Sequence, residues 1–391
     1  MRNTNPAGDL PVLRLRSPHD VIAAVPYLLG FHPDDSLVAI ASGGPQGTCA
    51  IRLDLPLDEH VDDAVEHLAA LLAHNGFRQV VLVGYGPEQR VTPLVTAAGA
   101  GLGGKGVEVL ESLRVEGGRF WSCQCTVPEC CPPEGTPYDI TTSPIAVQAT
   151  VEGRVALTGR DEVARSVAPV GGLARESMRR ATGRAQQRFF RWAREAAATA
   201  RSLDDATEPL PSDARTPEPQ RAHVRAPALL PSDVREPEPA TPEELLHDRM
   251  VGEGLPFVRG LLDRAEPLTD DEVAWLGVLL THLRVRDEAW VHTDQGRLDL
   301  WRYVLCRVEA AYVPAPACLT AYAAYLAGDG ALANIALDRA FAVDPDYSMA
   351  GLLRDMMRAG VPPWKARLRM TPEALADAWD ARPPDRKAGA R

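Results

Sequence analysis

Four thiols fall within nine residues in the stretch Trp121-Ser122-Cys123-Gln124-Cys125-Thr126-Val127-Pro128-Glu129-Cys130-Cys131-Pro132-Pro133-Glu134-Gly135. Thiolates ligate metal ions and attack electrophiles, so this stretch is the first place to look for chemistry. Structural zinc favours four tetrahedral ligands, commonly supplied by two C-x-x-C knuckles. The spacing here is C-x-C-x4-C-C, with no histidine close by. Adjacent cysteines are expected to point in different directions, which would strain any arrangement of all four around one ion. The stretch therefore reads first as a structural proline turn with small buried side chains, and second as a reactive thiol. A metal site on Cys125, Cys130 and Cys131 is the outside alternative, and no metal or cofactor is expected.

Gly30-Phe31-His32-Pro33-Asp34-Asp35-Ser36 collects an imidazole, two carboxylates and a hydroxyl, a set suited to acid–base work. Each residue also has a plain role: Gly30 can cap a helix, Pro-Asp-Asp is turn chemistry, and the histidine can satisfy a backbone group. Tyr85 lies in the Gly84-Tyr85-Gly86 turn after a strand, where open α/β sheets often bind ligands. His32, Asp35, Ser36 and Tyr85 are thus the candidate ligand-binding residues. Gly99-Ala100-Gly101-Leu102-Gly103-Gly104-Lys105-Gly106 fits G-x-G-x-x-G and nearly fits a phosphate loop. Context argues against nucleotide binding, because a helix precedes the run, a strand follows it, and Gly106 replaces the magnesium-binding hydroxyl. It reads as a flexible helix-to-strand turn. No catalytic signature is complete, so enzymatic activity is left open.

Around these residues, helices and strands alternate. Ser17-Pro18-His19-Asp20 opens a helix that runs to Leu29. Leu37 to Ala41 and Cys49 to Leu55 flank Ser42-Gly43-Gly44-Pro45 as a hairpin. Val61, Val65, Leu68 and Leu72 mark a helix over 58–74, and 77–83 reads as a buried strand. Residues 90–98 are helical, and 107–115 with 119–123 form a second hairpin around Glu116-Gly117-Gly118. The order predicts an α/β domain over 1–170, with a mixed, roughly five-stranded sheet covered by helices.

Over Leu173 to Arg201, Ala174, Met178, Ala181, Ala185, Phe189, Trp192 and Ala196 step by three and four and share one helical face. The rest of this basic amphipathic helix, assigned to 171–202, is rich in arginine. Leu173 to Arg201 holds eight Arg against two Glu, in a chain whose net charge is −11. Arg180, Arg184, Arg188 and Arg191 are the candidate partner-binding residues. Residues 203–240 are rich in Pro and Glu and carry a near-duplication of Leu210–Pro219 at Leu230–Pro239, which predicts a disordered linker. Two capping boxes, Thr241 with Glu244 and Thr269 with Glu272, start helices of an all-α domain over 241–391.

No apolar run approaches the length of a membrane span, and the first ten residues carry no export signal, so the protein is expected in the cytoplasm with its seven cysteines reduced. An acidic chain is not a general nucleic-acid binder. Ser17-Pro18, Val25 to Pro33, Trp121-Ser122, Cys125 with Cys130-Cys131-Pro132-Pro133-Glu134-Gly135, Gly330 to Ala340 and Asp344-Pro345 together resemble the actinobacterial family named domain of unknown function 4192. The resemblance implies an actinobacterial cytoplasmic protein, transfers no activity, and leaves Cys123 outside the family's pattern. Residues 317–358 resemble a tetratricopeptide-type helical pair. The expected function is that of a regulatory or scaffold protein binding other macromolecules. Protein is the expected partner, nucleic acid an alternative through the Arg-faced helix, and no membrane is involved. The competing expectation is a small-molecule enzyme or sensor at the sheet edge.

Overall fold

The computed structural model describes residues 16–45, 47–141, 143–151, 155–207, 240–262, 264 and 266–381. Helix α1 (Pro18–Leu29) begins as its sequence dictates: the Ser17 hydroxyl accepts the Asp20 N–H at 3.2 Å, and Gly30 closes the helix at φ 80°. The chain continues through β1 (Ser36–Gly44), β2 (Gly47–Asp54), α2 (Val61–His74), β3 (Gln79–Tyr85), α3 (Glu88–Gly104), β4 (Glu108–Glu116), β5 (Arg119–Ser122), β6 (Thr136–Pro137), α4 (Pro144–Val151) and α5 (Arg160–Ser166). The helical remainder comprises α6 (Gly172–Thr207), α7 (Pro242–Leu262), α8 (Asp270–Leu279), α9 (Leu283–Val291), α10 (Leu298–Arg307), α11 (Pro314–Leu326), α12 (Gly330–Phe341), α13 (Ser348–Arg358), α14 (Pro363–Ala366) and α15 (Pro372–Asp380). Of the expected linker, 203–207 belong to α6, and 208–239 lie outside the described residues.

Two compact units result, and they do not follow chain order. Among the described residues, one contains those of 16–170, 293–306 and 313–369; the other contains those of 171–292, 307–312 and 370–381. The helices of 241–391, expected as one domain, are therefore shared between the two. The reason is packing: α11, α12 and α13 pack on one another, α12 also meets α5 of the α/β region, and α15 packs on α9.

In the first unit the strands form one sheet in the order β2-β1-β3-β4-β5-β6. Only β3 and β4 run parallel; the other neighbours are antiparallel. The sheet has six strands rather than about five, because Thr136 and Pro137 return beside β5 after the cysteine stretch. One face of β1 and β3 (Leu37, Ala39, Ala41, Val80, Leu82) packs on α2 and α3 through Leu68, Leu72, Leu94 and Leu102. The other face (Val38, Ile40, Val83, Tyr85) packs on Val21, Ile22 and Val25 of α1.

The glycine run corrects the sequence reading. Gly99 to Gly104 continue α3 instead of forming a turn, and the left-handed Gly106 ends the helix at φ 79°. Each glycine costs a helix about 1 kcal/mol against alanine. Here Leu102, fully buried, extends the apolar face by one more turn and offsets part of that cost. Gly101 also has a packing reason: a Cβ there would lie 2.6 Å from Val65 Cγ1 of α2, whose branched side chain is stiff.

In the second unit α6 buries Met178, Ala181, Ala185, Trp192 and Ala196 against α7 and α8, as its spacing predicts. Trp192 meets Trp275 edge to face at 5.0 Å. Ala174, in the first turn, is exposed.

The glycine helix yields a paired expectation. Gly103→Ala, where an added Cβ meets nothing within 4 Å, should stabilise the chain by up to about 1 kcal/mol. Gly101→Ala should destabilise it by about 1–3 kcal/mol through overpacking. Denaturant midpoints measure both, and shifts in the same direction would contradict the helical assignment.

Candidate functional site

Ser36 begins β1 and Tyr85 ends β3, and the two stand directly opposite each other in the strand pairing. Strand alternation turns both toward α1. Both are buried, and neither hydroxyl has a hydrogen-bond partner among the described residues. Burial, with Tyr138 nearby, pushes the Tyr85 phenol well above its ordinary value, so it stays protonated. Tyr85 is thus the last residue of the strand rather than part of a turn beyond it.

Their expected companions go elsewhere. Asp35 occupies the left-handed region at φ 41°, its carbonyl accepts the Leu55 N–H at 3.0 Å, and its carboxylate lies 4.0 Å from Arg90. His32 is exposed, and its backbone N–H donates to the Leu157 carbonyl at 2.9 Å. Burial of part of the ring lowers the imidazole pKa. The structure brings Ser36 and Tyr85 together without His32.

The thiols form a second, separate cluster, because β5 runs antiparallel to β4 and leads away from the end of the sheet that holds Tyr85. Their loop is held at both ends. Ser122 Oγ donates to Glu111 Oε1 at 3.0 Å and accepts the N–H groups of Gln124 and Cys125 at 3.3 and 3.2 Å. The Val127 carbonyl accepts the N–H groups of Cys130 and Cys131 at 3.3 and 2.8 Å. Returning, the chain is fixed where Trp121 Nε1 donates to the Pro133 carbonyl at 2.9 Å and Arg119 donates to the Gly135 carbonyl at 2.7 Å. Arg114 stacks over the Trp121 ring, with its guanidinium carbon 3.7 Å from the ring centroid. Gly135, at φ 79°, lies so close to that ring that a Cβ would stand 2.4 Å from it.

Within this frame the Sγ atoms of Cys125 and Cys130 are 3.2 Å apart and those of Cys130 and Cys131 are 3.7 Å apart. All three lie within 4.8 Å of one another. The expectation that adjacent cysteines diverge is overturned. In a helix-like turn successive residues rotate by about 100°, not the 180° of a strand, and the turn over the Val127 carbonyl leaves both thiols facing Cys125. Hydrogen bonds from Cys131, then from the Val127 backbone and Cys130, hold the Cys125 thiol below its ordinary value. The same contact with Cys125, followed by desolvation, pushes Cys131 up to about 12. Cys123 stands outside the trio, exposed.

The family model described as "Domain of unknown function (DUF4192)" matches residues 18–364. The chain belongs to that family. No curated protein and no solved structure matches it. The matched span of this DUF4192 member contains both the Ser36–Tyr85 pair and the thiol loop.

The four arginines singled out on α6 divide into two kinds. Arg184 bonds Asp271 at 2.6 Å, and Arg188 bonds Glu253 while stacking over Trp275 with its guanidinium carbon 4.1 Å from the ring centroid. Arg180 and Arg191 are exposed, as are Arg179 and Arg194, and none of these four makes an ion pair among the described residues. No helix among the described residues is long and apolar enough to cross a membrane.

A buried charge cluster in the second unit escaped the sequence reading. Glu288 is fully buried and accepts hydrogen bonds from Arg259 at 2.6 Å and Arg284 at 2.7 Å, with His292 at 3.2 Å. Burial pushes this carboxyl up, but the hydrogen bonds and charges of Arg259 and Arg284 outweigh it and hold the pKa below its ordinary value. The spacing Arg284, Glu288, His292 places the three on one helical face and was the available signal. Beside it, His282 Nε2 lies 2.9 Å from His247 Nδ1, a pairing no spacing announces. Burial, then the nearness of His247 and Arg284, lowers His282 from 6.5 to about 4.

This sets the sign of a pH response. Between pH 6.5 and about 4 the unfolded chain takes up a proton that the folded His282 refuses, so stability falls as pH falls through that window, by up to about 3 kcal/mol. His282→Gln should lose less stability than wild type between pH 7 and pH 4.5, by about one proton's worth of slope, in denaturant titrations. Parallel pH curves for the two proteins would contradict the assignment.

Proposed function

We propose that this DUF4192 member is a regulatory or scaffold protein whose α6 helix docks an acidic protein partner. One observation carries the reading: the outward strip of α6 keeps Arg180, Arg191 and Arg194 without ion pairs among the described residues, and Phe190 beside them is 60% exposed. Phe190, Gln187, Ala193, Arg194 and Ala197 line a shallow open depression along that strip. Arginine and aromatic side chains supply much of the binding energy in protein interfaces, and a depression of ring and methyl groups suits an apolar side chain flanked by carboxylates. Three or four free cations on an acidic chain fall short of the broad basic surface that nucleic acid asks for. The packed α11 and α12 helices, with α13 after Asp344-Pro345, fall in the 317–358 stretch read as tetratricopeptide-like and suit the same scaffold role.

A second reading, a small ligand at the sheet end, is favoured by the two buried hydroxyls of Ser36 and Tyr85 that lack partners among the described residues.

A photo-crosslinking residue at position 190 of the full chain tests the first reading. The expected result is a nuclease-resistant adduct to an acidic peptide, lost in the Arg180→Gln, Arg191→Gln, Arg194→Gln triple variant. Arg184→Gln with Arg188→Gln, which removes internal ion pairs, should lower thermal stability while retaining the adduct. No adduct, or one indifferent to the triple variant, would overturn the proposal.

A further inference from the structure

The geometry points to a metal site: Cys125, Cys130 and Cys131 form a three-thiolate cradle for a thiophilic ion such as Zn²⁺ or Cu(I), with a fourth coordination position open to solvent.

A thiolate-bound zinc ion sits about 2.3 Å from each sulfur, and tetrahedral angles then set the sulfurs about 3.8 Å apart. Two observed Sγ separations, 3.2 and 3.7 Å, lie within about 0.6 Å of that value, and the third is no more than 4.8 Å. One ion between the three sulfurs therefore requires shifts of a few tenths of an ångström, not a refolded loop. Soft sulfur donors select Zn²⁺ or Cu(I) over Mg²⁺ or Ca²⁺, which take oxygen ligands.

The cradle is also preformed. Ser122 Oγ fixes the backbone at Cys125, the Val127 carbonyl fixes it at Cys130 and Cys131, and Trp121 with Arg119 anchors the returning chain. Little ordering entropy is then left for the ion to offset. Each thiol releases its proton to solvent as its sulfur–metal bond forms, so binding weakens as pH falls. Cys123 lies outside the group, so the chain supplies three ligands. Three protein ligands and one open position is the pattern of sites that exchange a ligand, whereas purely structural zinc sites are closed by four. The site is independent of the α6 surface and stands or falls separately from it.

The test uses the full chain, reduced and stripped of metal. Zn²⁺ and, anaerobically, Cu(I) are titrated against chromophoric chelators, and Co²⁺ is added to read sulfur-to-cobalt charge-transfer absorption. The expected stoichiometry is one ion per chain, with thiolate bands on cobalt loading. Cys125→Ser and Cys131→Ser should each weaken binding by roughly 10- to 100-fold or more, since even the loss of an outer-shell partner costs that much. Cys123→Ser and Cys49→Ser should leave it unchanged. The wild-type cobalt spectrum keeps the test decisive should a serine variant fold poorly. Substoichiometric binding of both ions, equal losses in Cys123→Ser, or a Cys125–Cys130 disulfide in protein purified without air would overturn the inference.

Discussion

A sheet whose inner strands are apolar on both faces must be covered on both, and that constraint orders the first unit. β1 and β3 alternate between two cores, one against α2 and α3 and the other against α1, so neither strand can face water. Coverage needs helices that approach closely, which is why Gly101 rather than a larger residue faces Val65. What the two cores leave over is an edge. There β5 is only four residues long and its outer neighbour β6 only two, and the loop between them is tied back by side chains. An anchored edge loop of this kind can carry exposed thiols without disturbing either core.

Much of the architecture is legible in the sequence because its signals are local. The Ser17 cap, the hairpin around Gly43, the apolar steps of α2 and α6 and the Thr269–Glu272 capping box all appear where spacing places them. Most of the misses depend on partners distant in the chain, and the cysteine turn on a local conformation that spacing does not announce. The glycine run looks like a loop until Val65 is known to lie against it. The adjacent cysteines diverge in an extended chain and converge only in the turn closed by the Val127 carbonyl. Arg184 and Arg188 resemble a free basic face until Asp271 and Glu253 arrive from α8 and α7. The His32 cluster is contiguous in sequence yet divided in space, since Ser36 points inward while Asp35 turns toward Arg90.

Preorganisation links the sheet edge to the thiol chemistry. Three sulfurs that met only when an ion arrived would make an opportunistic site; three held together beforehand by Ser122 and Val127 make a built one. Arg114 illustrates how deeply the frame is rooted. It is buried in the sheet, pairs with Glu116 at 2.6 Å and supports the Trp121 ring that locks Gly135. The loop thus inherits the order of β4 and β5 although Cys130 is exposed and Cys125 and Cys131 are only half-buried.

Amide hydrogen exchange on the reduced, metal-free chain tests this most directly. The N–H groups of Cys125, Cys130 and Cys131 should exchange more slowly than in an unstructured peptide, and Ser122→Ala should release Cys125 while leaving the two that donate to Val127 protected. Exchange of all three at unstructured rates in the wild-type protein would contradict a preformed cradle.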